Sequence, residues 1–437
     1  MRRFIFLLFG AVFIFGIAVT SAQAVTEIQW WHAMGGPNGK KLNEIAANFN
    51  SSQPDYKVVP VNKGGYVETM TAAIAAFRSG RPPHIVQVFE VGTATMMAAK
   101  GAIKPVYKLM AETGEPFDPK AYLSTVTGYY TTTDGKLLSM PFNSSTPILY
   151  YNKEAYKKAG LDPNKPPKTW PELEAYAKKL VAAGYIGFTT AWQSWVMLEN
   201  FGAWHNIPIA TKQNGFAGLD TKIVLNDPVR VKHIQKMADW QKDNIFKYGG
   251  RKGDATSLFT SGKCAMFFQS SAGVAAIRRD SKFEFGTGML PYYPDVKGAP
   301  RNSIIGGGTL WVLAGHPAKD YKGVAKFFTY LSSAEVQADW HQFSGYLPIT
   351  MAAYELSKKQ GYYTKNPGTE TGLLQMTLNT PTANSKGLRL GSFVQTRDII
   401  NGELEAVWAG KKTAKQALDA ATERGNKLLR RFEKANK

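Results

Sequence analysis

Apolar positions along the chain change their period in a regular order. Glu27-Ile28-Gln29-Trp30-Trp31 reads as a strand, followed by a loop from His32 to Asn38. Leu42, Ile45 and Phe49 then recur at helical spacing until Asn50-Ser51-Ser52-Gln53-Pro54 ends the run. Tyr56 to Val61 alternates again. Tyr66 to Arg78 is helical, with Ala73, Ile74 and Phe77 on one face and Gly80 as the stop. After Pro82-Pro83, His84 to Phe89 predicts a strand that ends at Glu90. This β-α-β-α-β rhythm is that of a parallel sheet.

The middle of the chain carries further elements. Pro147 to Asn152 predicts a strand, and Lys153 to Ala159 a helix closed by Gly160. Thr169 as N-cap and Glu172 three residues on form a capping box, with Pro171 tolerated in the first turn. Val231–Lys242, Tyr321–Leu331 and Ala334–Phe343 predict helices, and the chain from about Arg397 is mostly helical. Repeats, low-complexity segments and flexible linkers are not evident, so two lobes packed without a tether are expected.

The first 24 residues break this pattern. Arg2-Arg3 precedes an uncharged apolar run from Phe4 to Val19, and Ala22-x-Ala24 is a small-x-small cleavage pattern. This predicts a secretory signal peptide over 1–24, with a mature chain that begins at Val25. A membrane anchor is the competing reading, but the run is shorter than the ~20 residues a spanning helix needs. Twin-arginine export lacks a Ser or Thr before the arginine pair, and no Cys follows the leader to carry a lipid. The expected location is therefore the periplasm.

Composition narrows the classes. Hydrophobic content of 44% and charge of 20% are ordinary for a globular protein. Cys264 is the only cysteine, and its setting in Lys263-Cys264-Ala265-Met266-Phe267-Phe268 predicts an inert thiol in a buried strand. The net charge is +20. Its lysines are scattered rather than clustered, which argues against nucleic acid as a partner. The one dense stretch, Lys427 to Lys434, has apolar residues at helical spacing and predicts a docked helix with a basic outer face.

Signals for catalysis are weak. His32, His84, His205, His233, His316 and His341 show no metal-ligand spacing, and neither a G-x-S-x-G elbow nor a true P-loop is present. No catalytic residue, metal or cofactor is therefore expected. Signals for binding are stronger. The chain holds 10 Trp, 20 Tyr and 24 Phe, and Trp192-Gln193-Ser194-Trp195 is a loop-like aromatic pair suited to a polyol or sugar ring. Asn143-Ser144-Ser145-Thr146 and Ser270-Ser271-Ala272-Gly273 bring small polar groups to strand ends. Gly306-Gly307-Gly308 lies inside an apolar run, where a ligand can approach the backbone or the strand can bend.

At these residues the chain resembles the extracellular solute-binding proteins of ABC importers, the maltose-binding-like group. The broad likeness rests on Pro147 to Lys153, Pro167-Lys168-Thr169-Trp170-Pro171-Glu172-Leu173, Ser261 to Met266, Ile304 to Leu313 and Trp408 to Thr413. Narrower motifs are Glu90 to Met97, Phe142 to Pro147, Ser344 to Thr350, Arg389-Leu390-Gly391 and Arg424 to Lys434. They resemble those members whose ligands are sn-glycerol-3-phosphate and its diesters, such as glycerophosphocholine. The resemblance spans nearly the whole mature chain.

It implies an α/β, two-lobed periplasmic binding protein of type II, each lobe a mixed sheet flanked by helices, with the ligand in the cleft. Lobe 1 would comprise 25–142 and 292–345, and lobe 2 143–291 and 346–437. The family's ligand residues fall on Tyr66, Glu90, Ser145, Trp192, Ser270, Gly307, Tyr346 and Arg397; Ser270 and the adjacent Ser271 compete for one position. On this reading the Arg397 fork pairs phosphate oxygens, aided by Gly307, Ser270 and Tyr346. Glu90, Ser145 and Tyr66 take the glycerol hydroxyls, and Trp192 covers the carbons. The implied partners are that small-molecule ligand, ABC permease subunits and, through them, the cytoplasmic ATPase; the chain itself is expected to be a monomer. An oligosaccharide binder of the same fold and an exported phosphodiester hydrolase are the alternatives. Monoester and diester are not ranked.

Overall fold

Alternation over Thr26–His32 buries Ile28, Trp30 and His32 on one face and makes this segment, β1, the first strand of the computed structural model, which describes residues 24–437. The leader assigned to 1–24 lies, except for Ala24, outside the described residues. β2 (Tyr56–Asn62) and β3 (Ile85–Phe89) flank β1 in parallel, as the β-α-β-α-β rhythm predicts. The helices Gly36–Ser52 and Tyr66–Arg78 make the crossovers. The first helix starts inside the segment expected to be a loop, because Pro37 suits a helix's first turn. Likewise Pro228–Lys242 begins ahead of Val231, where the Asp227 carboxylate accepts from the Val229 and Arg230 amides.

The remaining strands arrive from far along the chain. They are β4 (Ile103–Lys104), β5 (Met140–Ser145), β6 (Pro147–Asn152), β7 (Ile186–Thr190), β8 (Cys264–Ser270), β9 (Phe285–Gly288) and β10 (Gly306–Leu313). The first sheet has the order β2-β1-β3-β10-β4, and β5 also pairs with β10. β10 runs antiparallel to β3, β4 and β5, so this sheet is mixed. The second sheet, β7-β8-β6-β9, is mixed as well. The structure is thus the expected α/β arrangement of two sheets with flanking helices.

The chain passes between the sheets from β5 to β6, from β9 to β10 and again beyond Ser344. The expected lobe boundaries shift at the second and third passages. Trp170 donates to the Tyr292 carbonyl at 3.0 Å, Arg301 to that of Trp204 at 2.9 Å, and the Ile304 amide to Asn200 Oδ1 at 2.9 Å, so 292–305 packs with the second sheet. The helix Met351–Lys359 packs on Ala334–Ser344, and Leu123 donates to the Ile349 carbonyl at 2.9 Å, so that segment goes with the first sheet.

Local expectations carry through elsewhere. The Thr169–Glu172 capping box opens the helix Trp170–Ala182. Cys264 is fully buried in β8, and burial pushes its thiol up to about 12, which leaves it unreactive. The last helix, Ala414–Asn436, buries Leu418, Ala421 and Leu429, while Lys415, Lys427 and Arg430 pair with Asp419, Glu423 and Glu433. Among the described residues, no helix is long and apolar enough to cross a membrane.

Candidate functional site

Strand ends converge where the two sheets face each other. Glu90 follows β3, Ser145 ends β5, Trp192 follows β7, Ser270 ends β8, and Gly307 lies at the start of the reversed β10. Ligands of open α/β sheets sit in such a crevice at the carboxyl ends of strands. Tyr66 opens the helix Tyr66–Arg78, Tyr346 follows Ala334–Ser344, and Arg397 stands in the first turns of Phe393–Trp408. All eight residues line one cavity of about 270 Å³. Ser270 reaches it; Ser271 is buried away from it, with its Oγ accepting from the Thr146 amide at 3.3 Å. A second compartment of about 320 Å³ adjoins through Tyr66, Phe89, Trp192, Trp195 and Arg397, and Glu68, Lys252 and Asp398 lie on its wall.

The walls differ in chemistry. On one side, an amide chain fixes two tyrosines. The Ala33 amide donates to Gln87 Oε1 at 2.8 Å, which turns Gln87 Nε2 toward Asn143 Oδ1 at 2.7 Å, and Asn143 Nδ2 donates to the Tyr66 hydroxyl at 2.8 Å. The Tyr346 hydroxyl is 3.3 Å from the same Asn143 amide. The Tyr66 and Tyr346 hydroxyls also hydrogen-bond to each other. Burial holds both phenols protonated, by pushing them up from their ordinary value. Tyr66 stacks on Phe89 at 5.4 Å, and Tyr346 stacks on Trp340 at 5.8 Å.

On the other side lies a buried cluster of charge. Arg397 Nε meets Glu199 Oε1 at 2.7 Å, and Arg397 Nη2 meets Glu199 Oε2 and Glu90 Oε1, both at 2.7 Å. Side-chain exposures are 14% for Arg397, 5% for Glu90 and 1% for Glu199. Burial pushes Glu90 up, against the pull of Arg397, and Glu199 pushes it the same way. Burial works to lower Arg397 as well, but the two carboxylates prevail and hold it above its usual range. Two carboxylates face one guanidinium, and the fork that the sequence assigned to phosphate is engaged by Glu199. Arg397 lines the cavity, and its Nη1 makes no hydrogen bond among the described residues.

Glu199 and Asn143 also stand at the site, and the resemblance implies neither as a ligand residue. The one signal for Glu199 was a carboxylate inside an otherwise apolar run, Trp195-Val196-Met197-Leu198-Glu199. That run, Trp195–Asn200, is a π-helical turn, a form frequent at functional sites. It seats Trp195 against Gly306, aims Glu199 at Arg397 and lets Asn200 hold the Ile304 amide. Trp195 lines the cavity with its ring, while its indole N–H is buried and has no partner among the described residues.

Two backbone outliers mark the site. Trp192 is 37% exposed and has φ +47°, which a bulky side chain rarely adopts outside a constrained site. Gly307 has φ +104°, and a Cβ there would lie 2.0 Å from the Asn143 carbonyl oxygen. Gly307→Ala is expected to cost at least ~3 kcal/mol, more than backbone strain alone. Gly315→Ala, with φ +99° and open space around it, is expected to cost about 1 kcal/mol. Urea unfolding of the two variants would check this; equal losses would refute the collision.

Away from the cleft, the fold gathers His84, His316 and Asp320, with ligand atoms within 4.8 Å of one another. His84 Nδ1 accepts from the Gln29 amide at 3.0 Å, so its Nε2 carries the proton and donates to Asp320 Oδ2 at 3.1 Å. That tautomer suits a structural hydrogen bond, not a metal ligand.

Residues 44–371 match the family described as bacterial extracellular solute-binding protein. The chain is 55% identical over 419 residues to the sn-glycerol-3-phosphate-binding periplasmic protein UgpB of Yersinia pseudotuberculosis, covering 95% of each. It is 53% identical over 425 residues to that of Pectobacterium atrosepticum, covering 97% of this chain and 96% of the relative. Among solved structures, it is similar to UgpB from Mycobacterium tuberculosis in complex with glycerophosphocholine (TM-score 0.77, 22% identity, 93% of this chain and 99% of that one). It is also similar to the cyclic alpha-maltosyl-1,6-maltose binding protein from Arthrobacter globiformis (TM-score 0.75, 23% identity, 93% and 100%).

Proposed function

Because this chain belongs to the bacterial extracellular solute-binding proteins, we propose that it captures sn-glycerol-3-phosphate and glycerophosphodiesters in the periplasm and delivers them, as a monomer, to an ABC permease powered by a cytoplasmic ATPase. The observation that carries this reading is that Tyr66, Glu90, Ser145, Trp192, Ser270, Gly307, Tyr346 and Arg397 line one cavity with opposed chemistry. Support for the ligand comes from relatives more than half identical over nearly the whole chain.

The charges orient the ligand. Glu90 is an acceptor in a cluster with excess negative charge, so the glycerol hydroxyls belong beside it, donating to the carboxylate. The phosphate belongs on the donors: the hydroxyls of Ser270 and Tyr346 and the Gly307 amide, with Arg397 as the cation, while Ser145 and Tyr66 serve the glycerol hydroxyls. Trp192 covers the carbon chain. A hydrogen bond to a charged group contributes about 1.5–3 kcal/mol, and micromolar affinity needs about 8 kcal/mol, so such a set suffices without covalent chemistry. The net charge of +20 raises the encounter rate with anions. On this reading the ligand leaves unchanged; among the described residues that line the cavity, no nucleophile is held by a base, the pairing a hydrolase needs.

Calorimetric titration with sn-glycerol-3-phosphate, glycerophosphocholine and maltose tests the reading. One-to-one binding of the phosphorylated ligands alone is the expected result. Binding of maltose alone would keep the fold and overturn the ligand, and release of product from the diester would overturn the binding-only role.

A further inference from the structure

Resting on the reading above, we propose that Glu199 is the positioning residue of this site: it holds the Arg397 fork away from the ligand and sets the charge the ligand meets. A guanidinium has five N–H donors. Glu199 takes one from Nε and one from Nη2 in a bidentate pair, and Glu90 takes the other from Nη2, all at 2.7 Å. Nη1 alone is left without a partner among the described residues. Without Glu199, the fork would be free to rotate onto the phosphate or onto Glu90. With it, the guanidinium plane is set before ligand arrives, which lowers the ordering cost of binding.

Glu199 also decides the sign of the wall. Arg397 and Glu199 cancel, and Glu90 is left as the uncompensated charge. A dianionic monoester therefore meets more repulsion than a diester with one phosphate charge. Glu199 comes from the π-helical turn Trp195–Asn200 and Arg397 from the helix Phe393–Trp408, while Glu90 comes from the first sheet. The pair Glu199–Arg397 is thus internal to one side of the cleft.

The test is calorimetry of the purified chain with sn-glycerol-3-phosphate and with glycerophosphocholine, compared across two variants. Glu199→Gln keeps the shape and removes the charge. The ratio of the two dissociation constants is expected to move toward the monoester by about tenfold. Glu199→Asp keeps the charge and shortens the reach. It is expected to weaken whichever ligand binds by about tenfold and to leave the ratio unchanged. A purely structural role would lower stability and leave the ratio alone in both variants, so an unchanged ratio in Glu199→Gln overturns the proposal. Wild-type affinity in Glu199→Asp overturns it independently of how the Gln variant folds. A wild-type chain that binds neither ligand would instead refute the functional reading.

Discussion

Arg397→Ala is expected to abolish ligand capture and to destabilise the protein by about 3–5 kcal/mol, the usual cost of breaking a buried ion pair by removing one partner. The cause is what remains behind. Glu90 and Glu199 each lose their 2.7 Å contact and stay buried, with like charges facing each other. One of them must then take up a proton. Glu90 already sits above its ordinary value through burial and Glu199, and removal of the guanidinium pushes it further up. A carboxylate raised in the folded state costs stability above its folded pKa, and that cost vanishes below the unfolded value. The defect relative to wild type should therefore shrink on acidification from pH 8 to pH 5. Urea unfolding of both proteins at the two pH values checks this. A variant as stable as wild type, or a defect that grows on acidification, would show that the cluster is not the buried ion network described.

The second large effect is acid instability of the wild-type protein. Burial pushes His32, His205 and His341 down to about 4, and His233 well below its usual range. The contacts explain why they stay neutral. His205 Nε2 accepts from the Tyr293 amide at 2.9 Å while Nδ1 donates to the Phe201 carbonyl at 2.8 Å, so a second proton would face an N–H. His32 Nδ1 accepts from the Met34 amide at 3.2 Å, and His233 is stacked on Phe201 at 4.3 Å. The unfolded chain protonates these groups near pH 6.5 and the folded chain does not. Their contribution is complete above about pH 6.5 and is lost as pH falls toward 4. Each is worth about 3 kcal/mol over that window, on the order of 10 kcal/mol for the three at about 4. Typical domain stability is ~5–15 kcal/mol, so unfolding near pH 4 is expected. Melting temperatures from pH 7.5 to pH 4 test it, and a flat profile would refute the neutral, buried assignment. His341 Nδ1 also donates to the Tyr346 carbonyl at 2.5 Å.

Periodicity and capping determined the local elements on their own. The helix Tyr66–Arg78, the strand Pro147–Asn152 and the Thr169–Glu172 box form where expected, because their deciding contacts lie within a few residues. The boundaries that moved, at Gly36 and Pro228, moved through first-turn prolines that read equally well as loop. The resemblance supplied the list of eight site residues, and all eight meet in one cavity. Their roles were another matter. Arg397 reads as a free phosphate fork because nothing near it in the chain suggests a competitor; Glu199, which engages that fork, stands 198 residues away. Asn143 is visible only as one of four small polar residues, until Gln87 and Ala33 give its amide a direction. The reversed strand β10 and the lobe assignment of 292–305 likewise depend on where the chain returns after a long excursion. Short-range spacing encodes helices, strands and residue types. Which charge faces which, and which donor is left for a ligand, is decided only when distant segments are packed together, since a hydrogen bond is set by distance in space and not along the chain.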